Sequence, residues 1–337
     1  MSGPGAYARA GVDLDASDAI KRGIGEAVES TRTELVRAGF GSFGGAFSLP
    51  PGYADPVLVT SIDGVGTKLH LALTWGRPGV AGRDLVNHSI NDIGVLAARP
   101  IAFLDYVASG DLDAVTVNAL VEGMAEACKA ADVAIVGGET AQMPGTYAPG
   151  AYDLVGTMVG IVERAALPDP GSVQVGDVLV GLPSLGLHTN GFSLARRVAE
   201  DLGPDHPVGE ASLADALLAP HTSYLDELQA AFGVPGVRIA AHITGGGLEG
   251  NLPRVLPGHL AARVEVGGWP VLPVFDLIAE HGEVDQREMY RVFNMGLGLV
   301  FVVAPGALPG LEQAVPGALR VGEVVERRAD GVVLVGL

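Results

Sequence analysis

Residues 56–69, PVLVTSIDGVGTKL, constrain this chain more than any other stretch. Pro56 opens a short β-branched run, Val57, Leu58 and Val59, that reads as a strand. Asp63 stands where the run stops, Gly64 and Gly66 permit tight turns, and Thr67 and Lys68 follow at once. A carboxylate delivered by a strand end into glycines and a lysine suits a metal-bridged phosphate. Taken alone it is also an ordinary strand-to-turn junction. Repetition of the design along the chain is what gives it weight.

Before this strand, residues 1–20 read as a mobile polar arm, and a helix is predicted from Ile20 to Val36 with Lys21 near its start. A glycine-rich loop follows, Gly39-Phe40-Gly41-Ser42-Phe43-Gly44-Gly45. Its two aromatics would be poorly placed in a solvated connector, which favours a loop that covers a ligand.

After it, a helix is predicted from Asp84 to Ala97, with Val86, Ile90, Ile93 and Ala97 on one face and Asp84, His88 and Asp92 on the other. The polar face reads either as solvated or as one that points Asp92 into a metal site. Ile101 to Val107 is predicted as a strand holding Asp105, and Asp113 to Ala131 as a helix with Val117, Leu120, Val121, Met124 and Cys128 in one stripe. Val133 to Val136 then repeats the first design, delivering Gly137-Gly138-Glu139-Thr140 into an expected glycine turn. Asp63, Asp92 and Glu139 together would form an oxygen-only set suited to Mg²⁺ rather than zinc.

A strand is predicted over 153–162, and the linker-like Pro168-Asp169-Pro170-Gly171-Ser172 places a domain boundary near 165. The expected domains are 1–165 and 166–337, since 337 residues are many for one core. In the second, Asp177 to Leu182 delivers Gly186-Leu187-His188-Thr189-Asn190-Gly191 into a helix starting near Phe192. Ile239 to Ile243 likewise delivers Thr244-Gly245-Gly246-Gly247 into a helix near Leu248. Backbone amides at such junctions can cradle an anion, although plain helix caps look the same in sequence. Leu299 to Val303 reads as a strand, and 320–337 as a closing hairpin. Periodicity alone therefore predicts two α/β domains.

Charge narrows the partners. A net charge of −18 speaks against nucleic acid and anionic membrane surfaces, so an anionic ligand must be held locally. Cys128 is the single cysteine, which excludes an intramolecular disulfide and fits a reducing compartment. No run approaches 18 apolar residues, so a soluble cytoplasmic protein with no membrane partner is expected. Neither a P-loop nor a G-x-G-x-x-G opening a helix after the first strand occurs.

Eight segments in order carry a resemblance: YARAGVDLD (7–15), IDGVGTKL (62–69), Asn91-Asp92, FLDY (103–106), GGETAQMPGTY (137–147), HTNGFSL (188–194), AHITGGG (241–247) and EMYRVFNMG (288–296). At this spacing the chain resembles, nearly end to end, the phosphoribosylformylglycinamidine cyclo-ligases, or aminoimidazole ribonucleotide synthetases. Their superfamily includes thiamine-monophosphate kinases and selenophosphate synthetases; the reactive N-terminal Cys of the latter is absent before Cys128. Gln142, where the family usually has Glu, and Ser42, within the glycine loop, are departures.

The resemblance implies an α/β (α+β) two-domain fold whose N-terminal sheet pairs with its twin in a barrel-like homodimer interface. It implies ATP-dependent closure of formylglycinamidine ribonucleotide to aminoimidazole ribonucleotide, through phosphorylation of the formyl oxygen. Another ATP-dependent member of the superfamily, or a non-catalytic nucleotide sensor, is the alternative. ATP and Mg²⁺ are the implied cofactors, with a monovalent cation left open. Asp63, Asp92 and Glu139 would hold metal, and Lys21, Gly41, Ser42, Gly44, Gly45, Gly64, Gly66, Thr67, Lys68 and Thr140 the nucleotide. His188, Thr189, Asn190, Gly191, Thr244, Gly245, Gly246, Gly247 and Asn294 would hold the substrate. Lys68, Asn190 and His242 would act in the chemistry, with His188 the alternative proton-transfer residue.

Overall fold

The structure, a computed structural model, describes residues 14–337, with side chains from residue 19 onward. The first part of the predicted arm, 1–13, lies outside the described residues, and 14–20 are helical. Contacts divide the chain into two units: residues up to Ser89 with Pro100–Ile161, and Ile90–Arg99 with Val162–Leu337.

The first unit runs α1 (Leu14–Glu29), β1 (Pro56–Gly64), α2 (Lys68–Thr74), α3 (Pro78–Gly94), β2 (Arg99–Ser109), α4 (Ala114–Ala130), β3 (Ala134–Gln142) and β4 (Tyr152–Glu163). The last turn of α3 belongs to the second unit. The strands form an open sheet in the order β1-β4-β2-β3. β2 and β3 are parallel, which requires a crossover, and α4 supplies it. Asp113 starts α4 by accepting a hydrogen bond from the Thr116 amide at 2.8 Å. The predicted stripe of α4 is fully realised: Val117, Leu120, Val121, Met124 and Cys128 are at most 1% exposed.

Two local expectations change. The first helix ends at Glu29 rather than Val36, because Val36 pairs with Phe47 and turns the glycine loop into a hairpin tip. Gly137-Gly138-Glu139-Thr140 continues β3 rather than forming a turn. Gly138 lies opposite Asp105 of β2, where a β-carbon would collide with the Asp105 carboxylate. Glycine here serves close strand approach.

Burial pushes the Asp105 carboxyl up from 3.8 to about 7, against a smaller pull downward from its own backbone amide. The unfolded chain therefore releases this proton first, and the native state holds it through the window between about 4 and 7. Asp105 thus withdraws stability as pH rises through that window, and the loss levels off above it. Asp105→Asn is expected to gain stability relative to the parent between pH 4.5 and 7.5, measured by urea unfolding at both. Parallel stability curves would count against this burial.

The second unit contains β5 (Val178–Pro183), α5 (Phe192–Leu202), β6 (Pro207–Val208), β7 (Ala211–Ser212), α6 (Leu213–Leu217), α7 (Leu225–Phe232) and β8 (Val237–His242). It continues with α8 (Gly247–Asn251), β9 (Leu260–Glu265), α9 (Pro273–His281), α10 (Gln286–Val292), β10 (Leu297–Val303), α11 (Leu308–Ala314), β11 (Leu319–Glu326) and β12 (Val332–Val335). Six strands form a sheet in the order β12-β9-β11-β5-β10-β8, while β6 and β7 pair separately. One face of its centre packs Val180, Leu182, Ala240, Leu299 and Phe301 against Tyr224 and Leu228. The predicted terminal hairpin is corrected: β11 and β12 flank β9, the first antiparallel and the second parallel, and do not pair with each other.

One topological fact positions the site. β5 and β8 both run antiparallel to β10, which lies between them, with Pro183 opposite Leu297 and His242 opposite Leu299. The loops that follow β5 and β8 and the segment that precedes β10 are thereby gathered at one end of the sheet.

Candidate active site

In the first unit, Asp63 is exposed near the end of β1. Its Oδ1 accepts from the Gly64 amide at 2.7 Å, and Oδ2 lies 2.8 Å from His88 Nε2. Gly66, at φ +68°, turns the chain into α2, with the exposed Thr67 at its cap. Lys68 is buried. Its Nζ lies 2.5 Å from Asp84 Oδ2, and both side chains are 0% exposed. The structure thus places in a buried ion pair the lysine expected to neutralise a phosphate. Asp84 and His88 are both buried, so the polar face of α3 is not a solvated stripe.

Glu139 and Thr140 lie on β3, with Glu139 exposed. β1 and β3 are the two edges of the four-stranded sheet. Three strand spacings of about 4.8 Å separate them by roughly 14 Å along the sheet. Asp63 and Glu139, expected from sequence to share a metal with Asp92, thus stand on opposite edges of this sheet. Gly41, Ser42, Gly44 and Gly45 occupy the exposed hairpin tip, from which Phe43 projects fully into solvent. Lys21 is exposed on α1.

In the second unit the two glycine loops do come together. Gly191, Gly245 and Gly246 line a cavity of about 850 Å³ with Glu249, Asp285, Glu288 and two residues that spacing had not marked, Arg287 and Arg291. Gly191, at φ +77°, is the N-cap of α5, and a β-carbon there would collide with the Phe293 ring. Thr244 donates to Asn251 Oδ1 at 3.1 Å, and Asn251 Nδ2 donates to the carbonyls of Thr244, Gly245 and Gly247. Asn251 thus turns the carbonyls of this loop inward. α8 is a single short turn, so the loop's own amides, and not a helix dipole, would meet an anion.

Asn190 is a strong candidate for ligand contact: its Nδ2 is buried with no acceptor among the described residues. Asn294 is not. It is buried, donates to the Gly186 carbonyl at 3.0 Å and accepts from the Gly296 amide at 3.0 Å, so it braces two loops instead of facing a substrate.

Behind the loops lies a chain of imidazoles. His188 is fully buried in the left-handed region, φ +58°, a conformation that costs a non-glycine residue roughly 1–3 kcal/mol. Its ring stacks on His221 with centroids 4.0 Å apart. His221 Nε2 lies 3.1 Å from His242 Nε2, and His242 Nδ1 lies 2.8 Å from Asp92 Oδ1. Asp92 is therefore seen orienting His242. The sequence offered no signal for His221 beyond its being one of eight histidines, set in a proline-led turn before α7.

Such a fold, two sheet units with glycine loops gathered at one sheet end, has clear relatives. Residues 52–162 match the N-terminal and 174–335 the C-terminal domain of the AIR synthase related proteins. The chain is 49% identical over 304 residues to the phosphoribosylformylglycinamidine cyclo-ligase of Myxococcus xanthus, covering 88% of each chain. It is 44% identical over 339 residues to that of Bordetella avium, covering 98% of this chain and 97% of the relative. The chain belongs to the phosphoribosylformylglycinamidine cyclo-ligase family.

Solved structures share the fold at lower identity. Thiamine-monophosphate kinase from Stenotrophomonas maltophilia aligns with TM-score 0.67 at 19% identity, covering 96% of this chain and 97% of that one. The hydrogenase maturation protein HypE of E. coli aligns with TM-score 0.69 at 20% identity, covering 95% and 94%. HypE has also been solved in complex with ATP; that structure aligns with TM-score 0.64 at 19% identity, covering 99% and 92%. Among the described residues no helix is long and apolar enough to cross a membrane.

Proposed function

We propose that this chain is an enzyme that closes formylglycinamidine ribonucleotide to aminoimidazole ribonucleotide, converting ATP to ADP and phosphate, in purine biosynthesis. The observation that carries the reading is the identity of 44–49%, across both domains, to relatives bearing the cyclo-ligase name.

An amide oxygen is a poor leaving group. Transfer of the γ-phosphoryl group to the formyl oxygen makes it a phosphate, which a neighbouring nitrogen of the same substrate displaces. The protein then has to align that nitrogen and offset charge. On a chain of net charge −18 the offset must be local, and Arg287 and Arg291 supply it beside the Gly245 and Gly246 amides. These four groups would hold the substrate's 5′-phosphate. Thr189, Asn190 and Gly191 would position its reacting arm, Thr244 and Gly247 would shape the loop, and His242, oriented by Asp92, would accept the proton shed on closure. The hairpin tip Gly41–Gly45, with Lys21, Gly64, Gly66, Thr67 and Thr140, would surround ATP. Asp63 and Glu139, in separate places, have the exposed oxygen ligands that Mg²⁺ prefers. Held by these carboxylates, Mg²⁺ would supply positive charge to offset that of the ATP phosphates. Lys68 supports this site through Asp84 and does not touch phosphate.

The test mixes purified protein, formylglycinamidine ribonucleotide and MgATP, and follows ADP and the diazotisable aminoimidazole together. Equal yields are expected. ADP formed only when thiamine monophosphate is offered would replace this reading with the kinase.

The homodimer belongs to the same proposal. On the edge strand β1, Leu58 is 55% and Ile62 69% exposed on one face, either side of Thr60, apolar surface that a second copy would cover. Light scattering is expected to give twice the chain mass for the parent and the single mass for Ile62→Glu. A parent at the single mass would end the proposal.

A further inference from the structure

We infer that Asn91, near the end of α3, is a positioning residue for the substrate. Its amide clamps the turn that holds His188 in a left-handed conformation, and from His188 the Thr189-Asn190-Gly191 loop reaches the cavity. The inference rests on the ring-closure reading above for the identity of the substrate.

Residues 187–190 form a tight turn, closed by the Asn190 amide donating to the Leu187 carbonyl at 3.4 Å. His188 is its second residue, at φ +58°, and a positive φ there defines the primed turns, where glycine ordinarily stands. A histidine stays in such a conformation only where its surroundings over-determine it. The segment before α7 does so. His221 stacks on the His188 ring at 4.0 Å with 22° between the planes, and the Thr222 amide approaches His188 Nε2 at 3.4 Å. Tyr224 flanks the same ring, with centroids 6.1 Å apart, and its hydroxyl donates to the Pro183 carbonyl at 2.7 Å, at the end of β5. Gly298 of β10 leaves the room for this, since a β-carbon there would collide with both the His188 ring and the Tyr224 hydroxyl.

Asn91 fixes the shape of that segment. Residues 219–224 form neither helix nor strand, so their buried backbone groups need partners from elsewhere. Asn91 is 0% exposed. Its Nδ2 donates to the Thr222 carbonyl at 2.8 Å, and its Oδ1 accepts from the Tyr224 amide at 2.8 Å. A side-chain amide carries a donor and an acceptor side by side, so one residue meets both peptide groups at once. The consequence extends to the cavity. Gly191 lines it, and a β-carbon on Gly245, also in the lining, would lie 3.1 Å from Asn190 Oδ1. A change of backbone conformation at His188 therefore moves the loop groups that meet the substrate, whereas ATP is assigned to residues of the first unit.

Two substitutions and a double variant separate positioning from plain support. Asn91→Leu keeps the volume and removes both hydrogen bonds; Asn91→Ala removes them without crowding the site. In both, KM for formylglycinamidine ribonucleotide is expected about 10-fold above the parent, with KM for ATP within about twofold. Glycine takes the left-handed conformation freely, so in a His188→Gly background Asn91→Leu should raise the ribonucleotide KM by less than about twofold. An unchanged ribonucleotide KM would overturn the clamp. So would full additivity in the double variant, or a rise in both KM values together with a fall in melting temperature. A crystal structure of the Asn91→Ala protein gives an answer independent of turnover. His188 is expected to pass to negative φ and residues 188–191 to leave their parental position; His188 kept at positive φ would refute the clamp. Should the parent make no aminoimidazole while the segment moves in the variant, the ring-closure reading fails and the clamp stands.

Discussion

Lys68→Met is expected to lower the unfolding free energy by about 3–5 kcal/mol, the range for removing one partner of a buried pair. The reason is the 0% exposure of both Lys68 and Asp84 at 2.5 Å. Removing the ammonium takes from the buried Asp84 carboxylate the positive charge that lies 2.5 Å from it. A loss of this size corresponds to a melting temperature lower by roughly 10 °C for a unit of 150–250 residues. The double variant Lys68→Met/Asp84→Leu should recover most of the loss, because an apolar pair of similar volume carries no desolvation cost. Urea unfolding of the three proteins decides it. If Lys68→Met keeps parental stability and loses only turnover, Lys68 leaves its partner during the reaction, and the phosphate-neutralising role returns.

Asp63→Asn is expected to do the opposite, costing turnover by roughly 10²-fold or more while leaving stability within about 1 kcal/mol. The Asp63 side chain is 46% exposed, so its contact with His88 is worth little to the fold. A carboxamide keeps the shape and the acceptor for the Gly64 amide but removes the charge a divalent cation needs. Saturating Mg²⁺ should recover part of the activity if Asp63 is a ligand. Unchanged turnover would remove the metal role from Asp63.

Much of this was readable in the sequence, and the failures share a physical cause. Strand β1 with Asp63 near its end, the α4 stripe and the start of α5 at Phe192 follow from local periodicity and turn chemistry. The glycines of β3 could not be read locally, because a glycine needed for the approach of Asp105 looks the same as one needed for a turn. Sheet order is non-local as well, and it alone separates Asp63 from Glu139. The polar face of α3 has the same spacing whether water or Lys68 meets Asp84, so burial could not be inferred. His221, Asn251, Arg287 and Arg291 carry no glycine or strand-end signature. Asn251, Arg287 and Arg291 reach the site because β5, β8 and β10 bring their flanking segments to one end of the sheet, and His221, from the turn before α7, meets it through His188 and His242. The i, i+4 spacing of Arg287 and Arg291 was the one visible hint, and it is a common pattern on solvated helices.

The most direct test of the account uses substrate labelled with ¹⁸O in the formyl oxygen, incubated with MgATP and the purified protein. The released phosphate and the aminoimidazole product are then analysed together. The account predicts one ¹⁸O in the phosphate for every imidazole formed, since the formyl oxygen must leave as phosphate. Aminoimidazole accompanied by unlabelled phosphate would contradict phosphorylation of that oxygen, and the absence of aminoimidazole would contradict the function itself.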